Sequence, residues 1–218
     1  MIAWFVAYWS VGSWAIPMAA EFMGYNLGAL GLRGQAFYSL VTDVIHSLLV
    51  WFVLARTLRV YQPLPKHWFP LSWKGPGFGE AILACASFPV VVFLSELNVR
   101  LIPGPVFPTM LEKSLGARDP VAMILYAIVV SVFAPVWEEY LFRGFLLPSL
   151  TRYIPPWGSV GVSALTFALV HGQAQRMFPL FFLGVIIGIV FIRSKNLLAA
   201  ILLHSLWNLF VFVTLFRS

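Results

Sequence analysis

Between residues 121 and 150 the chain carries only three charges, Glu138, Glu139 and Arg143, in an otherwise apolar run. A charge near the centre of a membrane helix costs about 2.5–3.5 kcal/mol. Three unpaired charges would cost on the order of 8–10 kcal/mol, comparable to the stability of a whole domain. They must pair, face a wet cavity, or both. Glu139 and Arg143 are four apart and share a helix face, so a carboxylate–guanidinium pair is sterically natural. Glu138 points about 100° away and has no such partner on its own helix. One carboxylate anchored by arginine beside a second that is not suits a stabiliser next to a general base.

Histidines supply the second half of the set. His171 closes the segment Phe167–Ala168–Leu169–Val170–His171, with Phe167 and His171 on one face. His204 and Asn208 are four apart in the last apolar span, so both project to the same side. His46 lies three residues after Asp43 in an earlier span; this pair reads as internal packing or as support for a site. His67 sits in a Pro-rich connector and carries no argument. A carboxylate in a low-dielectric site is a competent base for water, and a nearby histidine can share that water or protonate a leaving amine. Asparagine and a second histidine can donate to an oxyanion. The chemistry this set describes is hydrolysis of an amide inside a membrane.

Three motifs stand in order along successive apolar spans. Glu138–Glu139–Tyr140–Leu141–Phe142–Arg143 has the form EExxxR, Phe167 to His171 the form FxxxH, and His204 to Asn208 the form HxxxN. The ordered set, with the string Ser163 to Gly172 around its second member, resembles the CPBP family. That family comprises type II CAAX prenyl endopeptidases and bacterial relatives linked to bacteriocin processing and self-immunity. The resemblance covers about residues 121–213. It implies that Glu138 and His171 activate the hydrolytic water and that Glu139 and Arg143 form a supporting pair. His204 and Asn208 would then stabilise the oxyanion or complete the polar cluster. The cofactor reading is hydrolysis without an ion. Zinc held by Glu138, His171 and His204 stays open beside it, although the HExxH helix of ordinary zincins is absent.

Other intramembrane hydrolases match less well. No histidine here is followed by glutamate, as a site-2 type protease needs, and the paired membrane aspartates of the presenilin type are missing. Gly161–Val162–Ser163–Ala164 lacks the last glycine of a rhomboid GxSG, which leaves a Ser163–His204 dyad as a minor alternative. A haem protein with His171 and His204 as axial ligands would leave Glu138, Glu139 and Arg143 unexplained. From another class, a catalytically silent membrane scaffold or chaperone is the main competitor.

The elements that must position these groups follow from composition. Of 218 residues 61% are hydrophobic and only 10% charged, with a mean hydropathy of +0.89. A soluble domain carries roughly 25% charged residues, so a water-soluble globular class is excluded. The expectation is an all-α, polytopic transmembrane bundle of about seven helices, and the resemblance implies a prokaryotic cell membrane. Charge-free stretches place them near 2–20, 36–58, 81–102, 121–147, 160–171, 177–192 and 197–216. The first lacks the basic start of a secretory signal and reads as a retained membrane helix, ended by a Gly-rich turn (Gly24, Gly28, Gly31, Gly34). A Pro/Gly-rich connector is expected over 61–80 and an irregular loop over 103–120. Residues 1–120 would form N-terminal membrane helices with Pro/Gly-rich loops, and 121–218 the catalytic membrane core. Gly184 and Gly188 form a small-xxx-small pair suited to close helix contact. Cys85 is the only cysteine, so no disulfide within the chain is possible. The net charge of +6 is scattered over loops, which fits anionic headgroups and not nucleic acid. The partners implied are membrane lipids, a protein or peptide substrate with or without a lipid, and association with another membrane protein complex.

Overall fold

The computed structural model describes residues 6–7, 10–63, 69–75, 77–104 and 110–217, and among these every regular element is helical. Helix α1 covers residues 11–22, α2 Leu32–Tyr61, α3 Gly77–Leu101, and α4 Met110–Gly116. Then come α5 Pro120–Leu150, α6 Pro156–Val170, α7 Ala174–Ser194 and α8 Leu197–Phe216. Five of them, α2, α3, α5, α7 and α8, are long and apolar enough to cross a bilayer. The 15-residue α6 reaches about 22 Å at 1.5 Å per residue, short of a ~30 Å hydrocarbon core. The protein is a multi-pass integral membrane protein.

The first expected span and His67 lie partly or wholly outside the described residues. Two loop expectations need correcting. The segment after the Pro103–Pro108 cluster is not irregular throughout, because Glu112–Lys113–Ser114–Leu115 are adequate helix formers and wind into α4. The Gly-rich turn after α1 ends earlier than its glycines suggest. Gly24 takes φ +84, where a side chain would be strained, whereas Gly34 lies inside α2. The Pro/Gly-rich connector is irregular as expected from Gln62 to Gly75 in its described part, and α3 begins at Gly77.

The described residues fall into two compact units. The first draws on Met1–Leu64, Pro108–Trp137 and Asn208–Ser218. Its core packs Ala36 of α2 against Ala122 and Tyr126 of α5, surrounded by Leu32, Leu115, Leu125, Val130 and Phe212. Asp119 starts α5 by accepting the Val121 and Ala122 amides at 3.1 and 3.2 Å, which satisfies two otherwise orphaned N–H groups. The Ala122 amide and the Arg33 guanidinium at 2.9 Å hold its carboxyl below the ordinary carboxylate range.

The second unit draws on Pro65–Phe107 and Glu138–Trp207. Here α6 and α7 touch backbone to backbone. A Cβ on Gly184 would stand 3.0 Å from Ala164 Cβ and 3.1 Å from its Cα, and one on Gly188 3.0 Å from Val160 Cγ1. The small-residue stripe is the close contact its spacing suggests. Gly184→Ala is therefore expected to lower stability by about 1–3 kcal/mol through overpacking against main chain. Gly161→Ala on α6 meets open space and should leave stability unchanged or slightly raised. Thermal unfolding of both variants in detergent checks this; equal midpoints would show that the helices separate freely.

Two fully polar clamps hold the loops of this unit. Asn98 of α3, completely buried, donates to the Ala174 carbonyl at 3.0 Å and accepts the Phe178 amide at 2.8 Å, which fastens the start of α7. Asn196 donates to the Ser72 carbonyl at 2.6 Å and accepts the Ser72 amide at 3.1 Å, while the Leu197 amide donates to the Pro70 carbonyl at 2.7 Å. The connector is thereby tied to the start of α8. Phe69 in it packs on Tyr140 at a ring separation of 5.4 Å and over Gly144, where a Cβ would come within 2.8 Å of the Phe69 ring.

Candidate active site

Helix α5 carries the two glutamates, and its ladder is irregular on both sides of them. Val129–Phe133 and Tyr140–Leu146 each form a wide turn in which an amide bonds the carbonyl five residues back, as Ala134 does to Val129 and Leu147 to Phe142. Such turns concentrate at functional sites because they re-aim side chains. Glu138 and Glu139 end the short regular segment Ala134–Glu139 between them.

Arg143 and Glu139 are both fully buried, with Arg143 Nη1 2.8 Å from Glu139 Oε1. The fork's other nitrogen, Nη2, donates to the Gly184 carbonyl at 2.9 Å. The guanidinium also stacks over the Phe167 ring, 5.0 Å from its centroid, a cation–π contact. The pairing expected from i,i+4 spacing is present.

Arg143 is not the sole partner of Glu139. Glu139 Oε1 also accepts His204 Nδ1 at 2.8 Å. A carboxylate there requires the proton on Nδ1, which fixes the tautomer and turns Nε2 outward. That nitrogen stands 3.8 Å from Glu138 Oε2. Glu138 and His204 are 8% and 4% exposed, so this run of Arg143, Glu139, His204 and Glu138 is almost wholly shielded from solvent. Sequence could not show the sharing, because it depends on α5 and α8 lying side by side within this unit.

His171 caps the C-terminal end of α6, on the exposed side. Its Nδ1 bonds the Phe167 carbonyl at 2.7 Å. The carbonyl can only accept, so Nδ1 carries the proton and Nε2 is left as the acceptor. Gly172 follows at φ +65, a left-handed turn that breaks the helix just after the histidine. The Phe167 ring joins the two histidines, 4.6 Å from the His171 ring and 5.7 Å from that of His204. Phe142 packs edge-on against it at 5.3 Å. Arg143, His171 and His204 thus meet around Phe167, and Glu138 and Glu139 lie beside His204 in the same unit.

Asn208 belongs to the other unit, where its amide donates to the Val130 carbonyl at 2.6 Å inside the first wide turn. Ser163 is engaged as well: its hydroxyl donates to the Phe142 carbonyl at 3.2 Å, which removes the basis for a Ser163–His204 dyad. Residues that motif reading passed over are Gly184, whose carbonyl orients Arg143, and Phe142. The only sequence signal for Gly184 was its small-residue spacing with Gly188. Among the described residues, no three His, Cys, Asp or Glu side chains come together as a metal ion would need.

Comparison with known proteins gives the family. Residues 120–210 match the family model described as type II CAAX prenyl endopeptidase Rce1-like. The membrane-embedded CAAX protease MroQ of Staphylococcus aureus (strain USA300) is 31% identical over 194 residues, covering 80% of this chain and 75% of that protein. The chain belongs to the CAAX protease family. An uncharacterized 24.3 kDa protein of Escherichia coli is 30% identical over 201 residues, 89% of this chain and 88% of its own. The UPF0177 protein YxdF of Lactococcus lactis subsp. lactis (strain IL1403) is 31% identical over 166 residues, 75% and 88% of the two chains. No solved structure matches. The matched stretch of the CAAX protease family contains all six motif residues, Glu138, Glu139, Arg143, His171, His204 and Asn208.

Proposed function

We propose that the protein is an intramembrane endopeptidase that hydrolyses a peptide bond near the membrane-embedded end of a protein or peptide substrate. The observation that carries this reading is the buried run Arg143–Glu139–His204–Glu138. In apolar helices such a run is costly unless it works.

Glu138 is the general base. It takes a proton from water as the water oxygen attacks the scissile carbonyl carbon, and the carbonyl electron pair moves onto oxygen. His171 binds the same water through Nε2, the nitrogen its Phe167 bond leaves free. His204, held by Glu139, donates from Nε2 to the oxyanion when doubly protonated, and Glu139 offsets that imidazolium charge. The oxyanion then collapses, the C–N bond breaks, and the proton on Glu138 passes to the leaving amine. Arg143 keeps Glu139 aimed. The resemblance gives Asn208 an oxyanion role; its amide donates to the Val130 carbonyl. The catalytically silent scaffold remains the competing reading, and it would make the buried Glu138–His204 approach pointless.

The test is release of C-terminal peptides from membrane-anchored proteins, measured by mass spectrometry in cells with wild-type protein and with Glu138→Gln. Peptides present only with the wild type support the endopeptidase. Identical peptide sets would favour the scaffold.

On this reading the hydrolysis needs no ion. Chelators are expected to leave cleavage by the purified protein unchanged. Stoichiometric zinc in active protein, with activity lost on chelation and restored by zinc, would overturn that expectation.

A further inference from the structure

Asp43 is an ionisable residue within the membrane-spanning helix α2, and no step above uses it. Carrying it there costs about 2.5–3.5 kcal/mol unless it is satisfied. Its Oδ1 accepts the indole Nε1–H of Trp137 at 3.2 Å. Trp137 is 6% exposed and directly precedes Glu138 in α5. One turn along α2, the buried ring of His46 lies 6.4 Å from the Trp137 ring, at 59° to it. Helix α1 closes on the other side of His46, where a Cβ on Gly12 would stand 3.0 Å from His46 Nε2. Asp43 and His46 of α2 thus both meet Trp137, the residue next to the base.

Trp137 needs such a hold. Only the six residues Ala134–Glu139 separate the two wide turns, so the rotation of this segment about the helix axis is not set by a long regular ladder. Bonds from outside the helix set it instead. Asn208 holds Val130 in the first wide turn, Ser163 holds Phe142 in the second, and Asp43 holds Trp137 between them. Of the three, the Asp43 bond is nearest in sequence to the Glu138 carboxylate. We propose that Asp43 is a positioning residue that sets the aim of Glu138 by bonding the Trp137 indole.

This inference rests on Glu138 being the base, and the test separates the two. The readout is release of C-terminal peptides from the membrane proteins of cells expressing each full-length variant, with thermal unfolding of the purified variants in detergent. Asp43→Asn keeps an oxygen acceptor for the indole and should stay within about threefold of wild type. Asp43→Leu and Trp137→Phe each break the bond and should lose about tenfold or more, since misplacing a reacting group by an ångström costs on that order or more. The double variant should be no slower than the slower single one, because both remove the same bond. If Asp43→Leu does not fold, Trp137→Phe decides alone, as it leaves the charge in place. Wild-type release by folded Trp137→Phe, or additive losses in the double variant, would overturn the proposal. So would an Asp43→Asn loss as large as that of Asp43→Leu. Wild-type release that survives Glu138→Gln would instead overturn the site reading, and this inference with it.

Discussion

Glu138→Gln is expected to abolish detectable cleavage while leaving the protein folded and as stable as wild type. A positioned general base contributes about 10²–10⁴-fold, and the carboxamide keeps the shape of the side chain but cannot accept the proton from water. Folding should not suffer, because a carboxylate that is 8% exposed among apolar helices is itself a burden that the neutral amide relieves. The approach of His204 Nε2 to within 3.8 Å of Glu138 Oε2 adds a second expectation. Glutamine can donate or accept there, so the His204 ring should keep its place on Glu139. Peptide release and the unfolding midpoint, measured on the same preparation, check both parts. Activity within tenfold of wild type would remove Glu138 from the mechanism.

Arg143→Ala should be the most destabilising single change in the chain. It leaves the fully buried Glu139 carboxylate with His204 as its remaining hydrogen-bond donor and removes the bond from Arg143 to the Gly184 carbonyl. Breaking a buried ion pair from one side costs about 3–5 kcal/mol. It also removes the guanidinium stacked on Phe167, the ring that both histidines touch, so activity should fall along with stability. Arg143→Lys keeps the charge but not the fork that reaches Glu139 and Gly184 together, and should fall between. Replacing both members, Glu139→Leu with Arg143→Leu, should recover part of the stability and none of the activity, since no unpaired charge is left behind. Unfolding in detergent measures the series. An Arg143→Ala midpoint equal to wild type would show that the pair contributes nothing to the fold.

What the sequence by itself determined is whatever depends on neighbours along the chain. Long apolar runs bounded by glycine, proline and charge place α2, α3, α5, α6, α7 and α8 to within a few residues, because a membrane helix satisfies its own backbone and needs no partner to form. Glu139 and Arg143 pair as expected because four residues of α-helix bring them together regardless of the rest of the fold. Gly184 and Gly188 mark a close contact because only small residues let two backbones approach. Helix α4 was missed because a flanking cluster of prolines outweighed a short run of ordinary helix formers. The tertiary structure alone decided how polar groups are shared. Glu139 accepts from His204, 65 residues away in sequence. Arg143 reaches Gly184, 41 residues away, and Asp43 bonds Trp137 across 94. None of these distances is encoded in a local period. The two wide turns of α5 are of the same kind: amino-acid type does not announce them, and they stand where outside donors such as Asn208 and Ser163 bond their carbonyls. In an apolar medium most buried donors and acceptors find a partner, and which partner each finds depends on which helices pack side by side.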